Sequence, residues 1–256
     1  MSDTLLDFTQ HTVLITGAAS GFGRLLAQAL AMRGANLALG DIDEEGLQAT
    51  VDSLSIDASR VVSLRNDVAS EADCKALVDA AVNKFSRIDS AVNNAGIAHD
   101  PAAIHQISES VFDRQMDVNV KGVLFGMKYQ LPAMLSQGHG HILNVSSLAG
   151  LGGAPKAGAY VAAKHAVAGL TKTAAVEYGR KNIRVNAICP FFSPTNILNV
   201  DGYNTDEARA KLAMGSPMKR LGDPQEMVNT MVLLLSPGNS YMNGQTIAVD
   251  GGVTAW

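Results

Sequence analysis

Seven short, apolar, β-prone segments recur along this chain with helix-patterned stretches between them, and that alternation limits the fold more than any other feature. The strand-like segments are His11–Thr16, Asn36–Leu39, Val61–Leu64, Ile88–Asn93, His141–Val145, Ile183–Ile188 and Thr246–Val249. Helical spacing of apolar residues runs through Arg24–Met32, Glu71–Phe85, Val111–Leu135, Ala159–Gly179 and Pro224–Leu235, and Gly34 stops the first of these. Strands that are apolar on both faces need cover on both sides, which means right-handed βαβ crossovers on a parallel sheet. The expected fold is therefore α/β and doubly wound, with helices on both faces of one seven-stranded sheet.

No repeat, linker or low-complexity run divides the 256 residues, so one unit spanning 1–256 is expected. The least regular stretch, Pro190–Tyr203, holds two prolines and no periodicity, and reads as the start of a substrate loop or lid at about 190–215. With 47% hydrophobic and 17% charged residues, the chain can fill a sizeable core and is not of the charged, disordered class. A formal charge of −4 gives no net positive field to recruit nucleic acid or anionic lipid. Cys74 and Cys189 are too few for a disulfide framework or a four-ligand zinc site, which suits a reducing, cytoplasmic setting. Met1–Asp7 has early acids and no basic region, so no signal peptide is expected, and runs such as Met231–Leu235 are far too short to span a membrane.

The turn after the first strand, Gly17-Ala18-Ala19-Ser20-Gly21-Phe22-Gly23, opens the first helix. Gly17 permits a sharp turn, Gly21 lets a pyrophosphate reach the backbone, and Gly23 allows close helix–strand packing, so that free N–H groups and the helix dipole face an anion. Glycine-rich turns also close βα units that bind nothing; here strand, helix and position agree on a dinucleotide. Asp41 ends the second strand 18 residues beyond Gly23, where an acid can hold ribose hydroxyls. A 2′-phosphate beside Asp41 would meet repulsion of about 1–4 kcal/mol, and neither Ser20 nor Ile42 offers a cation to offset it. NAD is expected in preference to NADP.

Tyr160 and Lys164, four apart on a helix, share a face, and an ammonium near a phenol favours phenolate and lowers its pKa. In isolation such a pair is an ordinary surface couple. Ser146 and Ser147 end the fifth strand, at the sheet edge where ligands bind in open α/β folds, and either could also cap the turn. Asn119 lies inside a long helix, where Asn is disfavoured, and Lys121 beside it reads as a solvated charge. His139-x-His141 lacks a third ligand, so no metal is expected. His99 and His105 are candidates for a substrate mouth, and His165 reads as structural.

Taken in order, Gly17-x-x-x-Gly21-x-Gly23, Asn93-Asn94-Ala95-Gly96, Tyr160-x-x-x-Lys164 and Val249-Asp250-Gly251-Gly252 resemble the short-chain dehydrogenase/reductases along nearly the whole chain. The resemblance implies a Rossmann fold, nicotinamide hydride chemistry on a secondary alcohol/ketone pair, and a homotetramer. It implies catalytic roles for Asn119, Ser147, Tyr160 and Lys164. Ser147 is chosen over Ser146 because it lies 13 residues before Tyr160, the family's separation. Asn119 would hold a water linking the lysine to solvent. Asp67 and Val68 would flank adenine, while Asn93, Ala95 and Gly96 would line the cofactor channel. Pro190, Ser193 and Thr195 would meet the cofactor, with Thr195 at the nicotinamide carboxamide.

Phe191 stands where the family usually has Gly. In an extended loop Phe191 and Phe192 would point to opposite sides, so one is expected to face the substrate with Leu151 and Leu198. That arrangement predicts an apolar or cyclic substrate; the other reading places both rings in a lid or subunit contact. Rival functions are an NAD-recycling epimerase or dehydratase and a catalytically silent nucleotide sensor.

Overall fold

The computed structural model describes residues 4–255. Seven parallel strands form one sheet in the order β3-β2-β1-β4-β5-β6-β7. They are β1 Thr12–Thr16, β2 Asn36–Asp41, β3 Val61–Arg65, β4 Ser90–Asn93, β5 Gly140–Val145, β6 Ile183–Pro190 and β7 Thr246–Val249. The helices are α1 Gly21–Ala31, α2 Glu44–Ser53, α3 Glu71–Phe85, α4 Glu109–Met116, α5 Gly122–Gln137, α6 Gly158–Tyr178, α7 Asp206–Ala213 and α8 Pro224–Leu235. The sequence expectations named neither α2 nor α7.

The period of two along each strand divides the apolar residues between two cores. Val13 and Ile15 of β1, Leu37 and Leu39 of β2, and Leu143 and Val145 of β5 join the core under α1 and α8. Leu14, Ala38 and Ile142, between them, join the core under α3, α5 and α6. Both faces are thus covered, and residues of the β1–α1, β4–α4 and β5–α6 connections meet at the strands' carboxyl ends, where they line one cleft.

Local chemistry explains several boundaries. Asp223 caps α8 by accepting from the Gln225 amide, Pro224 sits at the first helical position, and Glu226 reaches back to the Asp223 amide. Ser70 caps α3 in the same way through the Asp73 amide. The expected long helix Val111–Leu135 is interrupted: Asp117–Lys121 forms a π-helical turn between α4 and α5. Asn119 lies in that turn, which accounts for a poor helix former at this position.

Candidate active site

One cleft of about 520 Å³ opens at the carboxyl ends of the strands. Its first wall is the turn after β1. Gly17 (φ +68°) and Gly21 (φ +51°) hold left-handed backbone conformations, and a Cβ on Gly17 would stand 2.8 Å from the Ala95 Cα. Ser20 caps α1 by position but makes no side-chain cap, and no acid lies in the first turn, so the helix terminus faces the cleft with its amides and its dipole. Gly23 does not line the cleft. A Cβ there would fall 2.1 Å from the Gly17 carbonyl oxygen, so it serves close packing alone. Arg24 braces the turn from behind, its guanidinium donating to the Ala19 and Gly46 carbonyls and to Thr50 Oγ1.

Asp41 ends β2 with one carboxylate oxygen accepting from the Ala19 amide at 2.8 Å and the other from the Asp43 amide at 3.0 Å. These bonds fix a carboxylate beside the glycine turn, with Ile42 half exposed next to it. Asp67 and Val68 complete this end of the cleft. So does Asn66, which sequence reading missed. Its side chain is buried, and neither amide atom has a hydrogen-bond partner. A polar residue just past a strand's carboxyl end is the signal that could have found it.

Ala95 and Gly96 line the cleft, but Asn93 does not. Asn93 points down into the protein, exchanging hydrogen bonds with Gln130 and donating to Asn144 Oδ1, which leaves no group for a ligand. Its neighbour Asn94 takes the cleft position and donates to the Thr16 and Gly17 carbonyls, tying β4 to the turn. In a strand, successive side chains alternate faces, and the expected channel residue was one position off.

The opposite wall comes from β5 and α6. Ser146 is buried and donates to the Lys164 carbonyl, so it is a structural contact. Ser147 faces the cleft, and Tyr160 and Lys164 join it there. Lys164 Nζ donates to the Val145 carbonyl at 2.9 Å and lies 5.6 Å from the centre of the Tyr160 ring. Gly96 has to be glycine here, because a Cβ would sit 2.8 Å from Asn119 Oδ1 and 3.3 Å from Lys164 Nζ. Asn119 is therefore behind the cleft wall, where it exchanges hydrogen bonds with the Ile97 backbone and donates to Gln115.

Burial dominates the titration of this pair. It pushes the Tyr160 hydroxyl up to about 12, with Ser147 pulling the other way, and pushes Lys164 down to about 8. The expected lowering of the Tyr160 pKa is thus reversed, because desolvation outweighs the hydrogen bond with Ser147. Cys189, buried beside Ser146 and Lys164, also has its thiol pushed up by burial.

The third wall is the segment after β6. Pro190, Ser193, Thr195 and Leu198 all line the cleft, and Leu151 faces them from the far side. Ser193 Oγ donates to the Gly222 carbonyl. A Cβ on Gly21 would be 3.4 Å from Thr195 Cβ and Cγ2, so the segment reaches over the cofactor turn. The two phenylalanines do not diverge as expected. Their rings meet edge to face at 5.0 Å, both border the cleft, and Phe192 also packs on Tyr203 at 5.7 Å. β6 ends at Pro190, so strand alternation does not govern these two residues, and the aromatic contact sets where the rings lie. Of the histidines, His99 borders the cleft and His105 does not; His165 caps back onto the Val161 carbonyl. His139 pairs with Asp89, and buried His141 lies between Arg184 and Asn186. Lys121 pairs with Asp117 at the surface.

A parallel doubly wound sheet, a glycine turn feeding a helix, and a Ser–Tyr–Lys wall beside it define a nicotinamide-dependent oxidoreductase. The chain belongs to the short-chain dehydrogenase/reductase family. A family model described as Enoyl-(Acyl carrier protein) reductase matches residues 17–254. The chain is 39% identical over 250 residues to 2,5-dichloro-2,5-cyclohexadiene-1,4-diol dehydrogenase of Sphingobium indicum, covering 97% of this chain and 99% of that one. It is 38% identical over 255 residues to levodione reductase of Leifsonia aquatica, covering 97% and 96%. A crystal structure of levodione reductase matches at a TM-score of 0.93 and 38% identity, over 97% of this chain and 99% of that one. A 3-ketoacyl-(acyl-carrier-protein) reductase from Brucella melitensis, solved in complex with NADH, matches at 0.89 and 32% identity, over 97% and 100%. No helix among the described residues is long and apolar enough to cross a membrane.

Proposed function

We propose that this enzyme is an NAD(H)-dependent dehydrogenase/ketoreductase that interconverts a cyclic, largely apolar secondary alcohol and its ketone. One observation carries the reading: Ser147, Tyr160 and Lys164 converge on a single cleft wall opposite the Gly17–Gly21 turn. The free helix terminus at Ser20–Phe22, the Asp41 carboxylate and the Asp67–Val68 wall suit the pyrophosphate, ribose and base of a dinucleotide. NAD, when bound, supplies hydride transfer. Tyr160 takes the proton from the carbinol oxygen during oxidation, or donates it to the carbonyl oxygen during reduction. Ser147 donates a hydrogen bond to that same oxygen and stabilises its developing charge. Lys164, held by the Val145 carbonyl, favours the phenolate of Tyr160 in the transition state. The Asn119 side chain, used by Ile97 and Gln115, supports the Gly96 wall and has no amide group left for the expected water.

Asp41 supports NAD over NADP through repulsion of a 2′-phosphate, with no cation at Ser20 or Ile42. Phe191, Phe192, Leu151 and Leu198 make the substrate end apolar, and one relative is named for a ring diol. We place the site in one unit, 1–256, with 190–215 as its lid, in a homotetramer of the cytoplasm, where two buried free thiols stay reduced.

The test is reduction of NAD and NADP across cyclic alcohols, linear polyols and hydroxyacyl thioesters. Net NADH formation with cyclohexanol is expected, which also separates this reading from an epimerase and from a silent sensor. Tyr160→Phe is expected to lower kcat by about 10²–10⁴-fold while NADH binding, followed by fluorescence, is kept. Near-normal turnover by that variant overturns the mechanism, and a preference for NADP overturns the role of Asp41.

A further inference from the structure

The middle of the 190–215 segment is a tight turn. The Tyr203 amide donates to the Val200 carbonyl at 3.2 Å, and Gly202, third in the turn, holds φ +82°. That left-handed conformation is open to glycine without strain. The turn rests on the β4–α4 connection. The Asp201 amide, which the turn's own bond leaves free, donates to Asp100 Oδ1 at 3.0 Å. A Cβ on Gly202 would stand 3.4 Å from Pro101 Cγ, so the turn backbone lies against the proline ring. Val200 borders the same shallow depression as Asp100 and Pro101, outside the cleft.

This turn carries part of the cleft wall. Tyr203 borders the cleft and packs on Phe192, and buried Leu198, just before the turn, borders it too. The base of the lid is fastened elsewhere: the Phe191 amide donates to the Val249 carbonyl at 3.0 Å, and Ser193 Oγ to the Gly222 carbonyl at 2.7 Å. The β4–α4 connection is in turn tied to the catalytic wall. The Ala102 amide donates to the Lys156 carbonyl, and Ala102 bridges to Ala157 just before α6, which carries Tyr160. Asp100 thus joins the turn of the lid to the wall of Tyr160. A single exposed bond from an amide to a carboxylate is strong enough to bias a loop and weak enough to open for exchange.

We propose that Asp100 is a positioning residue whose carboxylate holds the Val200–Tyr203 turn down, so that Leu198 and Tyr203 close on the substrate ring. This rests on the reading of the site as that of a cyclic-alcohol dehydrogenase. Asp100 touches neither the alcohol nor the dinucleotide and acts through the lid alone. The alcohol enters and leaves when the Asp100–Asp201 bond is broken, and is held when it is made. Ser193 and Thr195 belong to the separately fastened base of the lid, so dinucleotide binding does not depend on this bond.

The test compares wild type with Asp100→Ala, which removes the acceptor, and Asp100→Asn, which keeps an acceptor oxygen at the same place. With NAD and cyclohexanol, Asp100→Ala is expected to raise KM for the alcohol about three- to tenfold. NADH binding, followed by fluorescence, should stay as in wild type, and Asp100→Asn should recover most of the loss in KM. A second readout needs no turnover. In the NADH complex, amide hydrogen exchange across residues 196–205 should be faster in Asp100→Ala than in wild type or Asp100→Asn, while α3 and α8 exchange as before. An unchanged KM for the alcohol, unchanged exchange in the turn, equal weakening of alcohol and NADH, or an Asn variant that behaves like the Ala variant overturns the role of Asp100. Failure of the underlying reading looks different: wild type reduces no nicotinamide with any cyclic alcohol. In that case the exchange comparison alone decides whether Asp100 holds the turn.

Discussion

Lys164 is the residue whose surroundings cost most. Its ammonium is buried with one carbonyl acceptor, and its pKa stands at about 8 in the folded protein against 10.5 when exposed. Between those values the unfolded chain still holds a proton that the folded chain has shed, so this group adds stability as pH rises through the window. The Cys74 and Cys189 thiols, pushed up by burial, act in the opposite sense above pH 9 or so, and Tyr160 does so from about 10. The contribution of Lys164 is therefore read as a difference. Urea unfolding of the cofactor-free protein at about pH 8 and pH 9 should show wild type gaining about 1 kcal/mol relative to Lys164→Met. A constant difference would mean that the ammonium is solvated in the folded state. The adjacent serines show how finely such a site divides labour. Ser146 and Ser147 both border the cleft, yet the Ser146 hydroxyl is consumed by the Lys164 carbonyl while that of Ser147 lies with Tyr160.

At the scale of elements, the π-helical turn Asp117–Lys121 matters most, because it puts Asn119 against Ile97 and behind Gly96. Asn119→Ala would strand the buried Ile97 amide and carbonyl and the Gln115 side chain. It should lower the unfolding free energy by about 2–3 kcal/mol, measured by denaturant, and loosen the Gly96 wall. A loss under about 0.5 kcal/mol would show that the turn holds without it. The sequence made α3 and α8 legible to the residue, because strong caps and clean periodicity coincide there, and β7 was legible as a short β-prone run. It placed the glycine turn, Asp41, Ser147, Tyr160 and Lys164 on one cleft. It did not reveal the π turn, since one extra residue in a helix leaves apolar spacing almost unchanged. Nor did it separate Asn93 from Asn94, because both are amides and only the pleat decides which one faces the ligand. The Phe191–Phe192 contact was hidden for a related reason: loop backbone carries no period to read.

For the whole molecule, the helices on one face leave large apolar side chains uncovered. Phe112 of α4, Leu124 and Leu135 of α5 and Val176 of α6 are all exposed, Val176 by 84%. In the proposed tetramer these side chains would be covered by a second copy of the chain. Light scattering at micromolar concentration is expected to give four times the 26.8 kDa chain mass, in line with the proposed tetramer. A monomeric mass would contradict it.

Asn94 Nδ2 lies 2.8 Å from where a Cβ would stand on Gly17 and equally close to one on Gly23, and it is bonded to the Gly17 carbonyl. Gly17, Gly23 and Asn94 thus form one steric unit: a side chain at Gly17 would meet Asn94, and one at Gly23 would meet both Asn94 and the Gly17 carbonyl. Substituting either glycine therefore has to displace Asn94 or the backbone of the turn. The loops around His99, Leu151 and Phe191 carry no comparable lock. Selection acting on such a chain can reshape the substrate end many times over while inheriting the glycine turn intact.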